Sequence, residues 1–443
     1  TIPAWASLFT GLNQKQLNAF DMIRIDKNYK IKPVANDIWR GEYLWDILSI
    51  FNKKTGVLFF PFLYNPYPIN GFMITDPVIG KIRTFPEKLD INFTTLISEY
   101  DGFSTFIPWS MLHIARKNLE GKEKILKILE KKSDLWDVLI LQDGITDISM
   151  HLGSYKDLLN AYTLIDDLIG EAFRICENNN WYLFIVSDHG CQVARTLFSI
   201  NSYLVGKGLM KLSSEASTIK TALILSVYQI LLSRLSKVNR KLSKMIINLI
   251  KYLMEKRYKN TKVKGKIPYV NLTSSIAFSY FCVGTNFANI WINRRFNRFA
   301  KEKSKILKLI RHILTKEKLI KEIYTLNGKN SNFLFPDLII RTRNNVMPDF
   351  RLFPTISFRI NEFIHSRYAT FLAYGPQTKR HYCTQHIKIT DFVPTLLSLL
   401  KVPIPKDRHG RVLREIFTKK IEIKPQYISK EKLLLKKKIR RIL

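Results

Sequence analysis

Apolar residues fall along this chain in two alternating patterns. Short runs rich in β-branched and aromatic residues (Gly56–Phe62, Trp136–Leu141, Trp181–Ser187, Leu338–Arg341 and Ala369–Tyr374) predict buried strands. Between them the spacing lengthens to that of a helix. Over Ser154–Asn178, residues Leu158, Leu159, Tyr162, Ile165, Leu168, Ile169 and Phe173 recur at helical intervals, just ahead of the strand predicted at 181. Strands alternating with helices of this length predict a mostly parallel sheet covered on both faces, with ligand groups on loops past the carboxyl ends of the strands. The pattern changes near residue 206. Leu223, Val227, Ile230 and Leu231, then Ile246, Ile247, Ile250 and Leu253, predict two amphipathic helices. Val270–Ala277 and Asn289–Asn293 are strand-like, and Lys301–Thr325 is helical again. We therefore read residues 206–332 as a cap inserted between two parts of a core, 1–205 and 333–418, followed by a tail, 419–443, in which Lys430–Leu443 predicts one helix.

Composition adds a core and a charge. The 443 residues are 46% hydrophobic, enough to exclude a disordered chain. Lys and Arg number 71 against 36 acidic residues, a formal net charge of +35. Lys207–Lys266 holds fifteen basic and two acidic residues and the tail ten and two, so these two segments carry 21 of the 35 charges. Such an excess attracts polyanions. The aromatics of Lys207–Lys266 are only Tyr228, Tyr252 and Tyr258, too few for base stacking, which argues against specific nucleic-acid binding. The plainest reading of the basic helices is a solvated surface; contact with an anionic membrane or recruitment of an anionic substrate is the functional one. No apolar run reaches the roughly 18 residues of a membrane span. Four scattered cysteines, Cys176, Cys191, Cys282 and Cys383, lack the spacing of a disulfide framework or a cysteine-rich zinc module, and the expected placement is cytoplasmic with a membrane-peripheral contact.

Three polar clusters stand beside predicted strands. After Trp136–Leu141 come Asp147 and His151, four apart and so on one face if a helix begins there; a carboxylate with an imidazole suits a divalent cation, while the bland alternative is a helix-capping Asp and an incidental His. After Trp181–Val186 come Asp188, His189 and Gly190, a turn that brings backbone close to a ligand, or a capping Asp with a surface His. Ahead of Ala369–Tyr374 stands His365, weak evidence by itself. The other five histidines have no carboxylate at ligand spacing after a strand and are read as solvated or structural.

Taken in order, these segments resemble the alkaline phosphatase superfamily, in particular its type I phosphodiesterase/nucleotide pyrophosphatase branch. Thr1-Ile2-Pro3-Ala4-Trp5-Ala6-Ser7 with Thr10-Gly11-Leu12-Asn13 resembles the nucleophile segment; Trp45–Leu48 and Pro61–Met73 resemble the stretches that follow it. Asp147, His151, Ser187–Gly190 and His365 fall in the order of the family's metal ligands, Phe335–Leu338 has a counterpart, and Thr390–Leu396 with Lys401–Leu413 resembles the C-terminal signature. The resemblance implies a three-layer α/β/α sandwich of the alkaline phosphatase type with an inserted cap. It also implies a phosphoric ester hydrolase with two divalent ions, zinc foremost, with manganese or iron as alternatives. One ion would be held by Asp147, His151 and His365, and the other by Asp188, His189 and the Thr1 hydroxyl. Thr1 would attack phosphorus and form a phosphothreonine ester, on a diester or nucleotide pyrophosphate more than a monoester; the substrate would be a phosphorylated small molecule, nucleotide or glycolipid. Thr1 within Thr-Ile-Pro-Ala-Trp also departs from the Cys/Ser-x-Pro-x-Arg of sulfatases.

Two departures bear on this. Family members carry, ahead of the nucleophile, a strand ending in a metal-binding Asp, so the expectation is that the gene product extends upstream of Thr1. After Asn13 the usual Pro-Gly-Lys-His-Gly is replaced by Gln14-Lys15-Gln16-Leu17-Asn18, a change of turn geometry more than of chemistry. Two other classes compete. An N-terminal-nucleophile hydrolase would use Thr1 with its own amino group as base, and nothing downstream supports it. A catalytically impaired member of the fold could serve as a basic binding protein for anionic lipid or nucleic acid; metal-dependent turnover would separate that from an enzyme, and steep salt dependence of binding would favour it.

Overall fold

The computed structural model describes residues 2–34, 39–61, 63, 65–75, 82–87, 89, 110–152, 154–212, 270–280, 284–296, 299–326, 333–384, 386–418 and 425–442. Thr1 and the two basic helices expected within Lys207–Lys266 lie outside this set.

The five runs read as buried core strands form as Thr55–Phe60, Val138–Leu141, Leu183–Val186, Leu338–Thr342 and Phe371–Tyr374, and Asn289–Asn293 falls in the strand Phe287–Ile292. Val270–Ala277 does not form, since the chain turns over 271–276 and the strand is Ala277–Ser279. Thr55–Phe60 runs parallel to Gly71–Thr75 on one side and to Val138–Leu141 on the other, and all six of its residues are buried, as a central parallel strand requires. A bulge between Leu58 and Phe60 interrupts the alternation of its side chains, with Phe59 at φ +61°. Val57 and Phe60 therefore face one layer of helices, Ile2–Thr10, Leu44–Ile50 and Phe392–Leu399, whereas Leu58 and Phe59 face Ile125 and Leu129 of the other layer. That second layer holds Ser110–Lys131 and Tyr155–Asn178, packed through Leu119, Leu126, Ala161, Leu168 and Ile175. Ser154 caps the latter helix, its hydroxyl accepting the Asp157 N–H while Asp157 reaches back. The sheet between two helical layers is the α/β/α sandwich expected from the sequence.

Ile2–Thr10 is too short to persist alone, since isolated helices under about 12–15 residues are marginal. Burial of seven of its nine residues holds it, with the Phe9 ring 5.4 Å from Phe60 and 5.6 Å from Phe392. The changed sequence after Asn13 makes a capping box: Asn13 Oδ1 accepts the Lys15 and Gln16 N–H groups, and Gln16 Oε1 accepts that of Asn13.

Away from the three parallel strands the pairing is chiefly antiparallel, which the expectation of a mostly parallel sheet did not foresee. Leu183–Val186 pairs antiparallel with Phe371–Tyr374, and Gly190–Ser199 with Ser357–Ser366. A second core forms where Ala277–Ser279, Phe287–Ile292, Leu338–Thr342 and Ile320–Thr325 make an antiparallel sheet covered by the helix Phe299–Thr315. The helical reading of Lys301–Thr325 is correct only to Thr315. Beyond a turn at 316–319, Ile320–Thr325 pairs with Leu338–Thr342, because Ile323 opposite Ile340 closes this core better than another helical turn. Among the described residues no helix is long and apolar enough to cross a membrane, and Cys176, Cys191 and Cys383 are free thiols. The tail forms the helix Lys430–Ile442, anchored by buried Leu433 and by Lys430 near Glu42 and Asp407.

Candidate metal centre

Three strand ends and one helix bring the predicted ligands together. Past Val138–Leu141 the chain turns at Gln142-Asp143-Gly144 into the helix Ile145–Leu152, on which Asp147 and His151 share a face. Asp143 Oδ1 caps that helix by accepting the Ile145 N–H at 2.7 Å. The other oxygen of Asp143 takes the ammonium of Lys122 at 2.5 Å, and the same ammonium donates to the Gln142 carbonyl at 2.8 Å. Lys122 is 2% exposed. Sequence reasoning missed this brace: Lys122 sits within Gly-Lys-Glu-Lys on a helix that reads as a solvated face, and only burial reveals its role.

His189 stands in the turn between Leu183–Val186 and Gly190–Ser199. Ser187 and Thr370 exchange hydrogen bonds across this turn, at 3.0 and 2.8 Å. Gly190 is required there, since a Cβ would stand 2.1 Å from the Tyr368 carbonyl oxygen. Antiparallel register sets His365 opposite Cys191, and hence beside His189. The two imidazoles stack with centroids 3.8 Å apart.

One atom is the focus of the cluster. Asp147 Oδ1 lies 3.3 Å from His365 Nε2, 3.5 Å from His151 Nε2 and 3.6 Å from His189 Nε2. It is buried and has no hydrogen-bond partner. Asp188 Oδ2 lies 3.5 Å from His189 Nε2, and His151 and His365 approach at 2.7 Å between their Nε2 atoms. Asp147, His189 and His365 form a group able to hold a metal ion. The five described residues assigned to two ligand sets are thus brought into one cluster, with Asp147 facing histidines of both; Thr1 lies outside the described residues.

The donor set fits a divalent cation. Burial acts to raise the Asp147 carboxyl, but the close approach of His365, His151 and His189 outweighs it and holds the group well below the usual carboxylate range. Burial pushes all three imidazoles below their ordinary value, against the opposing pull of Asp147 on His151 and His365 and of Asp188 on His189. Neutral imidazoles offer lone pairs. For His189, Nδ1 lies 3.2 Å from the Gly190 carbonyl; the proton placed there leaves Nε2 as the free acceptor. Ligand atoms about 2.0–2.1 Å from a tetrahedral ion stand roughly 3.3 Å from one another, close to the separations around Asp147 Oδ1.

The remaining motif carboxylates do structural work. Asp46 accepts the Gly41 and Tyr43 N–H groups and the Tyr67 hydroxyl, tying the helix Leu44–Ile50 to the Pro61–Met73 stretch. Asp391 accepts the Lys388 and Arg411 N–H groups. Asp337 accepts the Ile292 N–H at 2.9 Å and lies 3.2 Å from Lys303.

Comparison with known proteins agrees with this reading of the fold. The sequence model of type I phosphodiesterases/nucleotide pyrophosphatases matches residues 1–279. The solved structure of alkaline phosphatase PafA is similar at a TM-score of 0.52 and 14% identity, over 94% of this chain and 89% of that one. Phosphonoacetate hydrolase from Sinorhizobium meliloti is similar at 0.52 and 8%, over 89% and 83%; murine ectonucleotide pyrophosphatase/phosphodiesterase 5 gives 0.48 and 10%, over 94% and 88%. The PafA and phosphonoacetate hydrolase likenesses establish an alkaline phosphatase-type fold. The curated proteins contain no match.

Proposed function

The chain belongs to the type I phosphodiesterase/nucleotide pyrophosphatase family, hydrolases of phosphoric ester bonds, and from that premise we propose that it cleaves a phosphodiester or nucleotide pyrophosphate at a two-metal site with Thr1 as nucleophile. The observation that carries the reading is the buried, partnerless Asp147 Oδ1 facing three imidazole Nε2 atoms. Buried polar atoms are ordinarily satisfied, and a carboxylate oxygen facing three imidazole nitrogens suits a divalent cation. Asp147, His151 and His365 would hold one ion and Asp188, His189 and the Thr1 hydroxyl the other, with zinc, manganese or iron suiting the N/O donors. Such ions, when bound, neutralise phosphoryl oxygens and make an oxygen nucleophile accessible at neutral pH.

The residues divide the remaining work. The Thr1 hydroxyl forms the new P–O bond as the leaving-group oxygen departs in line, giving a phosphothreonine ester; water then cleaves that ester and restores the hydroxyl. The Asp143–Lys122 brace fixes where Asp147 and His151 begin their helix, and Ser187 with Thr370 fixes the His189 turn. The basic surface draws in an anionic substrate. The tail helix, with Leu434 and Leu435 exposed among lysines, supports a peripheral contact with anionic lipid.

The test is hydrolysis of bis-p-nitrophenyl phosphate and p-nitrophenyl phosphate with and without added zinc or manganese. Metal-dependent turnover, faster on the diester, is expected; Thr1→Ala should abolish it with metal content nearly unchanged. Undiminished turnover in Thr1→Ala would remove the threonine from the reaction.

A further inference from the structure

The turn that opens the strand Phe287–Ile292 belongs to none of the motifs that gather the histidines, yet it touches two of them. Gly284 has φ +70°. Its carbonyl oxygen accepts the His365 backbone N–H at 2.7 Å. A Cβ added at Gly284 would stand 2.9 Å from His151 Cε1, 3.6 Å from its Nδ1 and 3.8 Å from its Nε2. The ring has little freedom to retreat, because its Nε2 is 2.7 Å from His365 Nε2 and 3.5 Å from Asp147 Oδ1. Glycine is thus needed twice, for a left-handed backbone and for the space the imidazole fills.

We propose that Gly284 is a positioning residue of the metal centre, and that the turn at 284–286 completes the centre's wall. The backbone of Gly284 holds His365 by its amide, and its bare Cα admits His151, so one residue sets the angle at which the two Nε2 atoms and Asp147 Oδ1 share a focus. This rests on the metal-binding reading above. Its consequence is that metal affinity answers to the conformation of this turn as well as to the ligands themselves.

Gly208 supplies the comparison. It has φ +69°, and a Cβ there meets nothing within 4 Å. Gly284→Ala and Gly208→Ala therefore place alanine at nearly the same positive φ, and only the first meets an imidazole. Zinc affinity would be measured by competition with a chromophoric chelator, alongside the thermal midpoint of the metal-free protein. Gly208→Ala should bind zinc as the parent does, and Gly284→Ala at least tenfold more weakly. In a His151→Ala background, adding Gly284→Ala should lower the metal-free midpoint no more than adding Gly208→Ala does. Equal zinc affinity in the two glycine variants would overturn the proposal. So would a Gly284→Ala penalty that survives removal of the His151 ring, including failure of the double variant to fold. A parent protein that binds no zinc, manganese or iron would sink the metal reading itself, and the metal-free midpoints would still report whether residue 284 and the ring compete for space.

Discussion

Asp147 and Asp337 stand in the two halves of this molecule, the parallel-stranded core and the antiparallel sheet, and their surroundings are opposite in kind. Asp337 is 3% exposed and satisfied: the Ile292 N–H donates to one oxygen and Lys303 approaches the other. Asp391 and Asp46 are likewise given backbone N–H groups. Asp147 Oδ1 is given none; it faces imidazole nitrogens that burial keeps neutral. Where a carboxylate serves the fold, the backbone brings protons to it. At Asp147 the fold brings imidazole nitrogens instead, an arrangement that suits the cation proposed for this site.

That contrast can be broken at several points. The largest effect belongs to His365→Ala, which removes the nitrogen nearest Asp147. Turnover should fall by more than roughly 100-fold, since even outer-shell partners of metal ligands cost about 10–100-fold, and bound metal measured by plasma emission should drop with it. Unchanged metal content and activity would undo the ligand assignment. Next is Lys122→Met, which strands Asp143 without its buried counter-charge. A loss of about 3–5 kcal/mol in denaturant unfolding is expected, and a loss indistinguishable from zero would show that the brace is dispensable. Asp337→Ala, in the other half, should cost about 1–3 kcal/mol by leaving the Ile292 N–H unsatisfied. Metal content per folded molecule should be unaltered, and a fall in it would show that the two halves are not separable in this way.

The last test reads a pH profile and concerns Asp21, whose carboxyl is pushed by burial up to about 7, against the pull of the Met22 N–H and the Asn289 amide. A raised acid holds its proton in the folded chain where the unfolded chain has released it. This group's contribution to stability is therefore fully present below about pH 4 and is lost as pH rises towards 7. Asp21→Asn should flatten the urea midpoint between pH 5 and 7 relative to the parent; parallel pH profiles would show that Asp21 ionises as an exposed carboxylate does.

Four of the five clustered residues were legible because each follows a strong local signal. Asp147, His151, Asp188 and His189 come just after apolar runs, and those strands formed nearly where their residues indicated. His365 was legible only through the order of the family motifs, because its placement depends on a register with Gly190–Ser199 that no local pattern encodes. Lys122 and Gly284 were invisible for the same reason: one is a lysine in a charged helical run, the other a glycine after a stretch without motif, and each takes its role from a partner far along the chain. Ile320–Thr325 misled because Lys-Glu-Ile-Tyr-Thr continues a helical pattern, and only pairing with Leu338–Thr342 reveals a strand.

The docking of the first helix has a consequence for how the protein is made. Ile2–Thr10 is synthesised well before its partners, for Phe9 rests on Phe392, and Gln16 of the next helix donates to the Asp407 carbonyl at 2.7 Å. At about 5–20 residues per second, a ribosome needs on the order of 20–80 s to cover that distance. During that interval the apolar face around Phe9 has no permanent partner on its Phe392 side, so the nascent chain carries an exposed, aggregation-prone surface until residue 392 emerges. The proposed metal centre, completed by His365, closes in the same late window.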